Sequence, residues 1–398
     1  MLIEEIIRQY NMLTEGVRIT HLEDTVLDQG VDGALFAINQ LENLIKNDPA
    51  NKKFLTIKYD GKPAVVFGRD QNGNLMFTDK PRFVATGYNG RATSEQELQN
   101  VLLGRLPANA TEDQIAERNR YAVGLSSIWN TIDLAIPKNF RGYIFGDLMW
   151  SPNLSRLAMV NDYYVFEPNT VTYRLHKDTD IGKQITAAGI NKSVGIAVHQ
   201  YLPLNETVPQ LLESIPQYNK NAGLILFGSE YPGQPDVSLE KDKLDQLKKE
   251  INTPANKQAL NGLLNSDVLA KMRISDFSNI LQSYVNYRVD TGNFRGLGEE
   301  FLAWVETNPR LTGPKKENIR MHVEMHQPAF RLLIKIFLAL LYFKESLLQQ
   351  LDSGQHSIQS AIGNQSGGEG YVFGQGDDKL KFIRRFQFSA ENRRRYKK

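Results

Sequence analysis

The run Thr56-Ile57-Lys58-Tyr59-Asp60-Gly61-Lys62-Pro63-Ala64-Val65-Val66-Phe67 constrains this chain most, because it sets a lysine at the end of an apolar strand, directly before an Asp-Gly turn. Phe54 to Ile57, Ala64 to Phe67 and Leu75 to Thr78 read as strands, with Asp70 to Asn74 as the turn between the last two, so a meander is expected after the lysine. Residues 94–135 turn to helical patterning, with Ser94 ahead of Glu95 and Glu97 as a start signal and Pro107 as a break. Strands resume at Tyr143 and continue through Tyr163 to Phe166, Thr170 to Leu175, Val194 to Leu202 and Gly223 to Phe227.

From Ser238 to Ser353 the pattern becomes long helical runs: Leu239 to Ile251, Phe277 to Val289 and Arg320 to Leu351. Strand signals return at Glu369-Gly370-Tyr371-Val372-Phe373 and at Lys379-Leu380-Lys381-Phe382, where the two lysines alternate onto one strand face. The expected fold class is therefore α+β: a mixed, largely antiparallel core with a large all-helical insertion. The expected division is 1–48 as an N-terminal helical segment, 49–237 as the first part of the core, 238–353 as the helical insertion, and 354–398 as closing strands with a basic tail.

Composition sets outer bounds. A chain of 398 residues, 41% hydrophobic, can bury a large core. The absence of cysteine excludes disulfides, Cys-ligated zinc and thiol catalysis. Acids stand near the N-terminus where a secretory signal carries basic residues, and the apolar run from Ala329 to Phe343 contains Arg331 and Lys335, so neither export nor a membrane span is expected. A cytoplasmic location, in the host if the chain is viral, is the expectation. Net charge is +2, yet residues 379–398 carry nine Lys or Arg against Glu391 alone, a local +8 that leaves −6 elsewhere. An anionic partner is expected at that end, and Arg384, Arg385, Arg393, Arg394 and Arg395 are candidate phosphate contacts.

In order along the chain, Lys58-Tyr59-Asp60-Gly61, Glu369-Gly370-Tyr371 and Lys379-Leu380-Lys381 resemble motifs I, IV and V of the covalent nucleotidyltransferases: ATP-dependent DNA ligases, RNA ligases and mRNA capping enzymes. Arg141 to Met149, with Asp147 where a glutamate is usual, and Asp162 to Pro168 resemble the intervening motifs. The resemblance implies an ATP-grasp-like ligase core and a lysyl-AMP intermediate on Lys58. It further implies that Ile57, Asp60, Gly61 and Lys62 frame the nucleotide, Asp147 binds ribose, Phe166 stacks on adenine, and Lys379 and Lys381 grip the α-phosphate. Glu369, with Asp147, would hold Mg²⁺ or Mn²⁺, hard cations suited to carboxylate and phosphate oxygens.

The chemistry needs a neutral amine, whereas free lysine titrates near 10.4, so Lys379 and Lys381 are expected to depress the pKa of Lys58 by like-charge repulsion. Relatives place Arg two positions after the motif glycine, where this chain has Lys62-Pro63. Only 17 residues follow Lys381, too few for the OB-fold domain of capping enzymes and DNA ligases. This tilts the expectation towards an RNA ligase with ATP as cofactor and RNA rather than DNA as partner. The alternatives are a catalytically degenerate nucleic-acid-binding or virion-assembly protein with a ligase-like fold, or a DNA ligase or guanylyltransferase variant.

Lys80-Pro81-Arg82-Phe83 and residues 87–91 read either as an additional substrate-contacting loop, with Lys80 and Arg82 as its candidates, or as an ordinary surface turn. His322 and His326 share a helical face but lack the glutamate that directly follows the first histidine in zinc proteases, and are not read as a metal site. The glycines from 367 to 376 form neither a Walker loop nor a Rossmann fingerprint and read as hairpin turns.

Overall fold

A computed structural model describes residues 19–46, 54–85, 92–212, 214–232, 237–354, 356–374 and 378–396. Strand β1 (Thr20–His21) leads through a 3-10 turn (Leu22–Asp24) into helix α1 (Thr25–Ile45), interrupted at Gly30. Strands β2 (Leu55–Lys58), β3 (Ala64–Arg69) and β4 (Leu75–Asp79) follow, then the short helix α2 (Lys80–Ala85). Helices α3 (Glu95–Leu103), α4 (Glu112–Ser126) and α5 (Trp129–Ala135) precede β5 (Gly142–Trp150). Next come β6 (Ala158–Val160), β7 (Tyr163–Phe166), β8 (Thr172–His176), α6 (Asp180–Ala188), β9 (Val194–Leu202), β10 (Gln210–Leu211) and β11 (Leu224–Gly228).

A helical stretch follows: α7 (Lys241–Asn252), α8 (Pro254–Leu263), α9 (Ser266–Lys271), α10 (Phe277–Thr291), α11 (Phe301–Thr307), α12 (Gly313–Met325) and α13 (Gln327–Asp352). The chain closes with β12 (Ile358–Ile362), β13 (Gln365–Ser366), β14 (Gly370–Phe373), β15 (Leu380–Ile383) and α14 (Arg385–Tyr396). Among the described residues β1 lies parallel to β15 and β11 parallel to β9, while β3 on β4 and β5, β5 on β9, β7 on β6 and β8, β12 on β8 and β14 on β15 pair antiparallel, which gives the expected α+β class with mostly antiparallel sheets. No helix among the described residues is long and apolar enough to cross a membrane.

The chain divides into two units, and the described parts of Ile57–Pro232 and His356–Glu369 belong to the first. Its larger sheet runs β10-β9-β5-β3-β4, with β11 on the outer side of β9. Strand alternation sorts the side chains of β3: Val65 and Phe67 join Leu98, Leu102, Leu125, Trp129 and Ile132 under helices α3 to α5. Val66 faces the other way, with Met76, Phe83, Tyr143 and Phe145. Each such fully buried side chain contributes roughly 1.5–3 kcal/mol of apolar transfer. Ser94 caps α3 by accepting from the Glu97 N–H at 3.2 Å, the start signal read in the sequence. The smaller sheet runs β13-β12-β8-β7-β6 and turns Tyr164, Phe166, Tyr173 and Leu175 inward.

The described parts of Ile19–Thr56, Gly233–Gln355 and Gly370–Lys398 form the second unit. Here β1, β15, β14 and the first half of β2 make a sheet, with Thr56 Oγ1 donating to the Val372 carbonyl at 3.3 Å. Helix α13 buries Leu333, Ile336, Phe337, Leu340, Leu347 and Leu351 at helical spacing. Two expectations change. The single helix read from Arg320 to Leu351 is two, α12 and α13, because Pro328 stands in the first turn of α13, where a proline begins a helix rather than continuing one. The closing segment expected to rejoin the core is divided: His356–Glu369 groups with the first unit, and the chain from Gly370 groups with the helices.

Candidate active site

Lys58 ends β2, and the turn after it is locked from below. Asp60 is buried, and its carboxylate accepts from Asn169 Nδ2 at 2.7 Å and from the backbone N–H groups of Thr170 and Val171 at 2.6 and 3.1 Å. Its own N–H donates to the Tyr173 hydroxyl at 2.7 Å. The aspartate that the sequence places at the nucleotide thus fastens the lysine's turn to the connection between β7 and β8. A Cβ on Gly61 would lie 2.5 Å from the Asp147 Cβ and 2.9 Å from the Met149 Sδ, so a glycine is what lets this turn press against β5.

The Lys58 ammonium donates to Glu369 Oε2 at 2.6 Å across 311 residues of sequence. Its side chain is 35% exposed and that of Glu369 is 8% exposed. Asp147 pairs across Ala64, and Val65 pairs with Asp79, so the next residue, Lys80, falls on the far side of Ala64 in the Asp147 row. In β9 the register jumps from Val198 opposite Gly146 to Gln200 opposite Phe145, making His199 the extra residue of a β-bulge. Its Nε2 stands 3.7 Å from Asp147 Oδ2.

Burial pushes the Asp147 carboxyl up, against the attraction of Lys58 and Lys80 and with help from Glu369 and Asp60, to about 7. Burial also holds Lys80 below the ordinary lysine value; Asp147 opposes this and Lys58 adds to it. Lys58 runs opposite to expectation. Burial works to lower its pKa, but the charge and hydrogen bond of Glu369, with Asp147 and Asp60, outweigh burial and hold it above the ordinary lysine value. An amine expected to be stripped by cationic neighbours is instead kept protonated by carboxylates.

The other expected residues fall as follows. Ile57 donates its N–H to the Ser229 carbonyl at 2.6 Å and lines a small cavity of about 70 Å³ with Tyr59, Phe227, Glu230 and His356. Lys62 is exposed, and its N–H joins β5 through the Leu148 carbonyl at 3.0 Å. Phe166 is 2% exposed, stacked on Tyr173 at 5.4 Å and packed against Trp150 at 4.9 Å, because its position in β7 faces inward. In this arrangement its ring serves the core and not a base. Lys379 and Lys381 are half-buried and belong to the second unit, Lys381 pairing with His21 and Val372.

The basic end is also corrected. Arg384 and Arg385 are 9% and 7% exposed. Arg384 pairs with Asp352, and Arg385 grips Asp24 at 2.6 and 3.1 Å and Glu23 at 3.2 Å. These guanidiniums neutralise buried carboxylates and are not presented to phosphate. Arg393, Arg394 and Arg395 fall within α14, but their side chains lie outside the described residues, as does the expected loop of residues 87–91. Arg82 is half-buried, and its N–H donates to Asp79 Oδ1 at 3.0 Å. His322 is a buried core residue, its Nε2 2.8 Å from the Leu263 carbonyl.

Sequence reading missed His199, since a bulge leaves no mark in composition. It underrated Lys80, which strand alternation from Met76 would have placed on the Asp147 face. Glu369 and Asp147 are oxygen donors suited to a hard divalent cation, which usually takes one or two carboxylates and completes its shell with phosphate and water. No group of three or more His, Asp or Glu side chains able to hold a metal is assembled among the described residues, so a cation here would draw on substrate oxygens.

Fold and site together define an α+β protein with a half-buried cluster of lysines and carboxylates around one strand-end lysine. The chain belongs to a family of unknown function, DUF6267, whose family model matches residues 17–86 and 108–397. No curated protein and no solved structure matches it.

Proposed function

We propose that this chain is an ATP-dependent polynucleotide ligase of the covalent nucleotidyltransferase type, an RNA ligase in particular, working through AMP carried on Lys58. One observation carries the reading: the Lys58 amine lies 2.6 Å from Glu369, with Asp147 and Lys80 acting on the same charge cluster. Two segments far apart in sequence are thereby joined as the motif resemblance requires.

In the proposed reaction the Lys58 Nζ attacks the α-phosphorus of ATP; an N–P bond forms and the P–O bond to pyrophosphate breaks. The ammonium must first give up a proton, and Glu369 Oε2 is the acceptor in reach. A divalent cation, when bound by Glu369 and Asp147, would draw their negative charge away from the ammonium and so favour the neutral amine. Lys80 offers a second positive charge to the phosphates, and the lock on Asp60 keeps the Lys58 turn rigid. The adenylyl group would then pass to a 5′-phosphate end, and a 3′-hydroxyl would displace AMP.

The ion pair that keeps Lys58 protonated and the burial of Phe166 favour a second reading, a catalytically degenerate nucleic-acid-binding or virion-assembly protein. Incubation with α-labelled ATP and Mg²⁺ separates the two. The ligase reading expects an acid-stable label that is absent in Lys58→Ala; the degenerate binder takes none. GTP in place of ATP tests a guanylyltransferase, and sealing of all-DNA nicks only would move the assignment to DNA ligase.

A further inference from the structure

We propose that Asp79, held by Arg105 and Tyr121, is a positioning residue that aims Lys80 at the phosphate chain of the nucleotide. The inference rests on the nucleotide-binding reading above. Along β4 the side chains alternate, so Leu75, Phe77 and Asp79 face the helices while Met76 and then Lys80 face the Asp147 side. Asp79 is 3% exposed, yet its carboxylate is fully engaged. Oδ1 accepts from the Arg82 N–H at 3.0 Å, fixing the first turn of α2. Oδ2 accepts from Arg105 Nη1 at 2.5 Å and from the Tyr121 hydroxyl at 3.0 Å.

Arg105 follows α3 and Tyr121 belongs to α4, so one carboxylate ties the end of β4 to two helices that take no other part in the site. On the opposite side of the sheet Phe83, fully buried, packs edge-on against Tyr143 at 5.1 Å and Phe145 at 5.5 Å. The backbone of Lys80 is thus clamped between two anchors, Asp79 at the end of β4 and Phe83 four positions further on in α2, that engage opposite sides of the sheet. A buried carboxylate with three donors fixes direction as well as depth, which an apolar residue at 79 would not. Lys80 is left with its charge among Lys58 and Asp147, where a polyanion that brings several negative charges would be favoured.

The test is equilibrium titration of ATP and AMP into full-length protein without divalent cation, alongside unfolding curves. Lys80→Met is expected to weaken ATP about tenfold and AMP less than about twofold, the size of one charge-assisted hydrogen bond. Asp79→Asn should reproduce that pattern, and the double variant should be no weaker than Lys80→Met alone. Should Asp79→Asn fail to fold, Tyr121→Phe carries the same test with a loss of about threefold confined to ATP. Three results overturn the inference: wild-type ATP affinity in Asp79→Asn, losses that multiply in the double variant, or no ATP binding by the wild type. Binding of ATP with no AMP transferred to Lys58 on adding Mg²⁺ would overturn the ligase reading and leave this inference standing.

Discussion

Replacing Asp147 by Asn should stabilise this protein in neutral and alkaline solution while abolishing nucleotidyl transfer. The carboxyl is raised from an ordinary 3.8 to about 7, burial being the largest cause, so the folded state holds a proton that the unfolded chain has released. For a group raised in this way, stability is complete below the unfolded pKa and is lost as pH climbs through the folded value. The loss should therefore accumulate between about pH 4 and pH 7 and level off above. Three units correspond to about 4 kcal/mol as a ceiling. A side chain still 23% exposed keeps part of its hydration, and about 2 kcal/mol is the expected gain for the variant at pH 8. Urea unfolding of both proteins across pH 4 to 8 measures the difference directly, and other titrating groups cancel between them. A gap that does not change with pH, or a variant less stable than wild type at pH 8, would refute the electrostatic description of the site.

Gly61→Ala should cost about 1–3 kcal/mol and depress AMP transfer, because the new methyl meets β5 at Asp147 and Met149; urea midpoints and label yield check both. Lys344→Met should cost about 3–5 kcal/mol, since it leaves the fully buried Glu23 short of its 2.6 Å partner, and adding Glu23→Gln should recover part of the loss. Arg385→Gln should lower the unfolding midpoint while leaving unchanged the slope of RNA affinity against salt, the opposite of what a phosphate contact would give.

Strands were legible where apolar alternation met strong turn residues: β3 and β4 are separated by a loop in which Asp70 Oδ1 accepts from Asn72 and Asn74, both at 2.8 Å. The meeting of Lys58 with Glu369 was legible only through motif order, since no local propensity reports a contact across 311 positions. What escaped reading depends on direction or sign. Whether the aromatic ring at 166 faces a ligand or the core is decided by one step of register, and it faces Tyr173. Whether Lys58 is stripped of its proton or keeps it turns on which charged neighbour comes within hydrogen-bond reach, and that neighbour is a carboxylate. Arg384 and Arg385 read as phosphate contacts because their carboxylate partners, Glu23, Asp24 and Asp352, lie far away in sequence.

The most direct test of the central claim is peptide mass spectrometry of the protein after incubation with ATP and Mg²⁺. The account predicts one AMP bound through acid-stable linkage to the peptide containing Lys58, absent from Lys58→Ala and from Glu369→Ala. An unmodified Lys58 peptide from a protein that demonstrably binds ATP, or AMP found on a different lysine, would contradict it.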